Sequence, residues 1–368
     1  MEQGFESLGL DVRITKALAK EGFIRATEIQ KQSIPQVISR SDVLVQAATG
    51  SGKTLCFALP VLHNILVSAH THGIQALVLV PTRELCNQVG RVFTQISHFC
   101  TDCISITELG APGASLASEA VRIRENPRIV ISTPGRIVKH LKLNNLNLKE
   151  SLRMLVIDEA DMVLSYGYQE DLKLILSHIP SLRQTILTSA TLSPEVDSLK
   201  ALVLQKPVVF KLHSDALDED GKFKLEHFYV EITERSDSDA FLFAFALLKL
   251  GVLSGKTLFF VNEIDRSYRL KLFLEAFGVT SAVLNAELPF NSRVRVLDHF
   301  NKGMFDVLIA TDKGFDGEEK EDEKEEESGD EKEAKDEFGA ARGIDFKVNR
   351  ICRAKSSLFV ECFQCDQL

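Results

Sequence analysis

The sequence predicts an α/β fold of two tandem parallel-sheet domains, the second incomplete, and three observations carry that reading. Short runs of Val, Ile and Leu recur along the chain, each run is followed by a turn and a helix-patterned segment, and one such series ends at a polar stretch before another begins. A strand that is apolar on both faces has to be covered on both, which is the condition of a parallel sheet flanked by helices. The first series comprises residues 42–46, 76–80, 129–132, 154–157 and 185–187. The second comprises 256–261, 281–284 and 306–310, with helices over 266–277 and 292–301. A first domain over 1–212 and a second over 225–368 follow. The linker between them is 213–224, where Ser214-Asp215-Ala216-Leu217-Asp218-Glu219-Asp220-Gly221 interrupts the apolar periodicity.

Composition bounds the function. At 368 residues and 45% hydrophobic content the chain can bury two cores. Its net charge of −9 is local, because residues 316–337 hold fourteen acidic and four lysine side chains and the remainder sums to +1. That tract is too charged to bury and reads as a disordered insert, over about 313–339, within the second domain. A near-neutral remainder excludes binding of nucleic acid through a global basic field, so any such contact must come from locally placed Arg, Lys, backbone amides and helix N-termini. The N-terminus has neither the basic start nor the apolar stretch of an export signal, and the longest apolar run, 241–248, is too short to cross a bilayer. No membrane role is expected. Seven cysteines without an export signal favour a reducing compartment. Cys100 with Cys103 and Cys362 with Cys365 have zinc-ligand spacing, but they lie far apart without a His pair and read as core thiols.

Two segments carry chemistry. After the first predicted strand comes Ala47-Ala48-Thr49-Gly50-Ser51-Gly52-Lys53-Thr54, a phosphate-binding loop with Ala47 in place of the usual first glycine. Gly50 and Gly52 let backbone N–H groups approach phosphate oxygens, Lys53 reaches the β and γ phosphates of ATP, and Thr54 is placed to hold Mg²⁺ at a helix start. At the end of a later strand stands Asp158-Glu159-Ala160-Asp161. There Asp158 can bind Mg²⁺ through water and Glu159 can polarise the water that attacks the γ-phosphate. Taken alone, the same acids could be a helix N-cap.

With these two segments in place the chain resembles the DEAD-box RNA helicases from about Phe5 to Asp345. Phe5 lies seventeen residues before Gly22, and Gly22-Phe23 leads to Thr27-Glu28-Ile29-Gln30, similar to the family's adenine-reading Q motif, with Ala26 where proline is usual. Further matches follow in the family's order: Pro81-Thr82-Arg83-Glu84-Leu85, Thr133-Pro134-Gly135-Arg136, Ser189-Ala190-Thr191, Phe260-Val261-Asn262, and Thr311-Asp312 with Ala341-Arg342-Gly343-Ile344-Asp345. The resemblance implies two RecA-like domains that close over ATP and RNA and separate a short duplex by bending one strand. It implies catalysis by Glu159, Lys53 and Asp158, and metal binding by Thr54 and Asp158. Nucleotide binding falls to Phe23, Gln30, Ala48, Thr49, Gly50, Ser51, Gly52, Lys53, Thr54 and, at the ribose, Asp345. RNA contact falls to Pro81, Thr82, Arg83, Thr133, Pro134, Gly135, Arg136, Arg293, Thr311 and Gly343, and coupling to Ser189 and Thr191. Contacts of this type address phosphate and ribose without reading bases.

The wording of Leu284-Asn285-Ala286-Glu287-Leu288-Pro289 and Ser267-Tyr268-Arg269-Leu270, with an insert splitting the Thr311-Asp312 motif, is most similar to the nucleolar helicases of large-ribosomal-subunit assembly. That implies pre-ribosomal RNA as partner and a nucleolar location, and names no protein partner. The family's His-Arg-x-Gly-Arg motif is expected after Asp345, yet residues 346–368 match no family element. The expectation is a truncated or altered end that leaves an open sheet edge, and a chain that binds ATP with little RNA-stimulated hydrolysis. Two functions therefore stand: an ATP-dependent RNA helicase, and a non-hydrolysing ATP- and RNA-binding form. An unrelated phosphate-loop kinase or transporter ATPase does not account for the ordered RNA-contact motifs.

Overall fold

The computed structural model describes residues 4–48, 50–68, 73–111, 114–212, 225–231, 237–311, 350–354 and 359–365, with the backbone alone for 225–231, 237–238, 350–354 and 359–365. The predicted linker, the acidic tract, Thr49, Asp312, Gly343 and Asp345 lie outside the described residues. The chain divides into two units, Met1–Ser214 and Asp215–Leu368.

In the first unit, helices α1 (Val12–Lys20) and α2 (Glu28–Ile38) precede strand β1 (Val43–Gln46) and helix α3 (Lys53–Val67). There follow β2 (Ala76–Leu79), α4 (Arg83–Ile96), β3 (Ile106–Glu108), α5 (Leu116–Arg124), β4 (Ile129–Ser132), α6 (Pro134–Lys142) and β5 (Met154–Ile157). The unit ends with α7 (Ala160–Ser165), α8 (Gln169–Ser177), β6 (Gln184–Ser189), α9 (Pro194–Val203) and β7 (Val208–Lys211). The seven strands are parallel in the order β3-β4-β2-β5-β6-β1-β7. Strand alternation sends Val43, Val45, Val78, Ile131 and Val156 into one core and Leu44, Leu77, Leu79, Val130, Leu155 and Ile157 into another. The sheet is thus buried on both faces, as its apolar runs require.

This order positions the site. The segments after β1, β5 and β6 are neighbours at the C-terminal edge of the sheet, and those after β2 and β4 continue the same edge. Phe5 is buried in the first core and Gly4 bridges Arg25, so the N-terminal segment is pinned beside α2.

The second unit contains β8 (Leu225–Glu231), α10 (Asp237–Lys249), β9 (Thr257–Val261), α11 (Ile264–Ala276), β10 (Ser281–Leu284), α12 (Phe290–Asn301), β11 (Val307–Thr311), β12 (Arg350–Ala354) and β13 (Phe359–Cys365). Its sheet order is β10-β11-β9-β12-β13-β8. The expectation that the tail leaves an open sheet edge is corrected here. β12 pairs parallel with β9, and β13 pairs antiparallel with both β12 and β8, so the β9 edge is closed rather than open. The physical reason is that a bare strand edge accepts any extended segment that offers backbone N–H and C=O groups, and Phe359, Val360 and Phe363 are residue types that favour strands.

Candidate nucleotide and RNA site

The loop after β1 is shaped by its glycines. Gly50 and Gly52 both stand at φ +86°, where an L side chain is strained, and Gly52 is the N-cap residue of α3. A Cβ built on Gly52 would lie 2.4 Å from Gln30 Nε2. The closeness has a cause, because Gln30 Nε2 donates to Gly52 O at 3.1 Å and Thr27 Oγ1 donates to Ser51 O at 3.2 Å. Thr27 begins α2, and Gln30 Oε1 accepts from its backbone N at 2.9 Å, forming a capping box. The Gln30 amide therefore braces the phosphate loop, and each of its two polar atoms retains one further hydrogen-bonding site. Phe23, on the connection before α2, leaves 43% of its surface exposed. Gly52→Ala is expected to lower ATP affinity at least about tenfold, since both φ and the Gln30 contact must shift. Calorimetric titration with ATP measures it, and unchanged affinity contradicts this role for the loop.

Lys53 opens α3 and is buried, and its Nζ lies 3.0 Å from Glu159 Oε1. Glu159 occupies the N-cap position of α7 but makes no capping bond, and its carboxylate turns to Lys53 instead. The helix-cap reading of these acids is thereby excluded for Glu159. Burial and the neighbouring Asp158 raise the Glu159 carboxyl above its ordinary range, and burial raises Asp158 as well. Two adjacent buried carboxylates face a single ammonium.

Glu159 also holds φ +48°, a left-handed conformation that costs a non-glycine residue about 1 kcal/mol or more. What holds it is Thr188, a residue that the sequence reading missed. Glu159 N is directed at Thr188 Oγ1 (3.2 Å) and Asp158 Oδ1 (3.1 Å), and Thr188 Oγ1 donates to Asp158 Oδ1. The available signal was slight, a hydroxyl directly after the apolar pair Ile186-Leu187. Thr188→Val keeps the shape but leaves Glu159 N and Asp158 Oδ1 each short of a partner. It is expected to slow ATP turnover about tenfold with ATP affinity changed less than about threefold, whereas Thr188→Ser retains turnover. Equal turnover in Thr188→Val and wild type rules out the positioning role.

One residue beyond, Ser189 Oγ donates to Thr191 O at 2.7 Å, and Thr191 N and Oγ1 both donate to Asp161 Oδ2, at 3.1 and 3.0 Å. Thr191, held in turn by Ser189, thus ties the end of β6 to the first turn of α7, directly after Asp158 and Glu159.

Along the same edge, Pro81-Thr82-Arg83 and Thr133-Pro134-Gly135 begin α4 and α6. Thr82 Oγ1 accepts from Leu85 N at 3.3 Å and caps α4, while the Thr133 hydroxyl makes no capping bond. Arg83 is half-buried, and Pro81, Thr133, Pro134, Gly135 and Arg136 are buried. What these segments offer a polyanion is chiefly two helix N-termini on neighbouring strands. Arg136 is committed inward. Its Nε donates to Glu119 Oε2 (2.8 Å) and its Nη2 to Ala114 O (2.8 Å), while His140 Nε2 meets Glu119 Oε2 at 2.8 Å and Gly110 N donates to Glu119 Oε1 at 2.6 Å. Burial pushes the Glu119 carboxyl up, but the bonds from His140, Arg136 and Gly110 hold it below its ordinary range. Glu119 is fully buried and was also missed, since its partners lie 9 to 21 residues away.

A family model described as DEAD/DEAH box helicase matches residues 27–199, and one described as helicase conserved C-terminal domain matches 242–317. The chain is 44% identical over 318 residues to a protein of Dictyostelium discoideum named probable ATP-dependent RNA helicase ddx56, covering 86% of this chain and 45% of that one. It is 40% identical over 382 aligned positions to ATP-dependent RNA helicase DBP9 of Candida glabrata, covering 93% and 63%. The chain belongs to the DEAD-box helicase family. It spans about half the length of most of the curated relatives it matches. A solved DEAD box protein of Methanococcus jannaschii is 28% identical with a TM-score of 0.54 over 84% of this chain and 80% of that one. S. cerevisiae Dbp5 bound to RNA and ADP BeF3 shares the fold, at 22% identity and a TM-score of 0.66, over 84% and 76%.

In the second unit of this DEAD-box chain, Arg293 is 2% exposed, its Nη1 donates to Ala286 O at 3.1 Å, and its guanidinium lies 5.8 Å from the Phe290 ring centre. It fixes the 285–289 turn, where Asn285 Oδ1 accepts from Leu288 N at 3.1 Å. Thr311 ends β11 with its Oγ1 buried and without a hydrogen bond among the described residues. Among the described residues no helix is long and apolar enough to cross a membrane. Cys100 is buried and Cys103 exposed, both as free thiols.

Proposed function

We propose that these residues form the ATP- and RNA-binding part of an ATP-dependent RNA helicase that separates short duplexes of pre-ribosomal RNA in the nucleolus. One observation carries the reading: a single sheet edge holds Lys53, Asp158, Glu159 and Thr188 at the ends of β1, β5 and β6, with the N-termini of α4 and α6 beside them on β2 and β4. The matching family models and the names of the relatives support it. The pre-ribosomal target and the nucleolar location rest on the resemblance of 267–270 and 284–289 to nucleolar helicases.

The chemistry follows from these residues. The phosphate loop receives the β and γ phosphates, and their charge competes with Glu159 for Lys53. Released from that ion pair, Glu159 is free to accept a proton from the attacking water, and its raised carboxyl range suits a base working near neutrality. Thr188 and the Asp158 carboxylate keep the Glu159 backbone in place while this happens. The donor set also fits Mg²⁺. Among the described residues Asp158 uses only Oδ1, none bonds Thr54 Oγ1, and two buried carboxylates exceed the one ammonium beside them. Thr54 and Asp158 would hold the ion, which when bound offsets charge on the phosphates. Arg83 and the two helix N-termini address the RNA backbone, and Ser189 and Thr191 relay closure to the acids.

A second reading, for these 368 residues taken alone, is ATP and RNA binding without hydrolysis, since they contain no His-Arg-x-Gly-Arg. Steady-state ATP turnover with single-stranded RNA separates the two, measured on the 368 residues and on the same residues joined to a segment supplying that motif. Turnover stimulated by RNA only with the segment supports the helicase reading. Absence of stimulated turnover in both leaves the binding form.

A further inference from the structure

The opposite edge of the first sheet carries a second concave site. A pocket of about 570 Å³ is lined by Arg40, Arg153 and Arg183 together with Ser68, Gln75 and Gln184. Gln75 precedes β2, Arg153 precedes β5, Arg183 precedes β6 and Arg40 precedes β1, so the pocket lies at the N-terminal ends of strands whose C-terminal ends hold the nucleotide site. A four-residue strand spans about 13 Å, which keeps the two places apart.

Its charges are unbalanced. No carboxylate forms an ion pair with Arg40, Arg153 or Arg183 among the described residues. Asp42, whose charge acts on Arg183, pairs with none of the three and accepts at Oδ1 from Thr185 N at 2.8 Å and at Oδ2 from Gln205 N at 2.6 Å. Arg183 is half-buried; its Nη1 donates to Pro180 O at 2.8 Å, and its Nε is buried with no partner. Burial lowers the proton affinity of that guanidinium, and the charge of Asp42 opposes the shift without reversing it. Beside it, Gln184 is 7% exposed, and its Nε2 donates to Val37 O and Ser41 O, both at 2.8 Å. Those two bonds fix the amide and leave Gln184 Oε1 as a buried acceptor without a donor.

Such a set asks for a ligand of two kinds of group. Three guanidiniums call for an anion with several oxygens, for which phosphate is the matching geometry, and the unpartnered Gln184 Oε1 calls for a hydroxyl. The volume falls in the range of small-molecule clefts. We propose that this pocket binds a phosphorylated sugar or polyol, with the phosphate on Arg153 and Arg183 and a hydroxyl on Gln184 Oε1. An uncharged sugar lacks the anion, and inorganic phosphate lacks the hydroxyl-bearing body that reaches Gln184. The inference does not depend on the reading of the nucleotide site.

The test is calorimetric titration of the 368-residue chain with ribose 5-phosphate, ribose and inorganic phosphate, on wild type, Arg153→Ala, Arg183→Ala and Lys53→Ala. Arg153 is exposed, so its truncation keeps the fold even where Arg183→Ala does not. The expected result is binding of ribose 5-phosphate that Arg153→Ala weakens at least about tenfold and Lys53→Ala leaves unchanged, with no heat from ribose. Absence of binding to wild type, unchanged affinity in Arg153→Ala, or loss in Lys53→Ala overturns the proposal. So does inorganic phosphate binding as tightly as ribose 5-phosphate, which marks an adventitious anion site only. Displacement of ribose 5-phosphate by single-stranded RNA in wild type also overturns it, and assigns the arginines to an RNA strand.

Discussion

Glu159→Gln is expected to keep ATP and RNA affinity within about threefold of wild type and to slow ATP turnover at least about tenfold. The substitution leaves the surroundings nearly intact. Thr188 and Asp158 hold residue 159 through its backbone N, and an amide oxygen can still meet Lys53 Nζ where the carboxylate now lies at 3.0 Å. What is lost is the capacity to accept a proton, so the effect falls on the chemical step rather than on binding. Single-turnover hydrolysis with RNA present, in a chain that carries the His-Arg-x-Gly-Arg segment, isolates that step. An unchanged single-turnover rate removes Glu159 as the base.

Lys53→Ala acts at two levels. Binding should weaken at least about tenfold, because the lost ammonium meets phosphate charge in the ground state as well as later. The free protein should also change. With Lys53 gone, Asp158 and Glu159 are buried side by side, 5% and 6% exposed, with their cation removed. Removing one partner of a buried pair costs about 3–5 kcal/mol unless the remaining charge is neutralised, and protonation of Glu159 is the available route. A carboxyl whose titration is raised in the folded state loses stability as pH rises through that range, since the folded form there binds the extra proton. The fall in melting temperature caused by Lys53→Ala should therefore be larger at about pH 8 than at about pH 5. A pH-independent fall indicates that it comes from lost packing and not from the unpaired carboxylates, and calorimetric ATP affinity equal to wild type contradicts the phosphate-loop role.

How far the sequence was legible depended on the range of each interaction. Strands β1, β2, β4, β5, β9, β10 and β11 were readable because both faces are apolar, and the Gly-Lys-Thr turn was readable because its constraints lie within a few adjacent residues. Strands β3 and β7 were not, since edge strands are half covered and the short runs Ile106–Glu108 and Val208–Lys211 show only partial burial. Thr188 and Glu119 were missed for another reason: their partners are far away in sequence, and a buried threonine or glutamate has no local pattern. Two of the three arginines assigned to RNA, Arg136 and Arg293, look like surface charges in a sequence, but each is folded inward onto a backbone carbonyl, Ala114 O and Ala286 O. The tail was judged by the motif it lacks, which hid its capacity to pair as strands.

The most direct test of the account is ATP turnover of the chain carrying a His-Arg-x-Gly-Arg segment, measured with and without single-stranded RNA at saturating ATP. The proposed coupling through Ser189, Thr191 and Asp161, which joins the end of β6 to α7, predicts that RNA raises kcat at least about tenfold and that Glu159→Gln removes the rise. Equal turnover with and without RNA would contradict it.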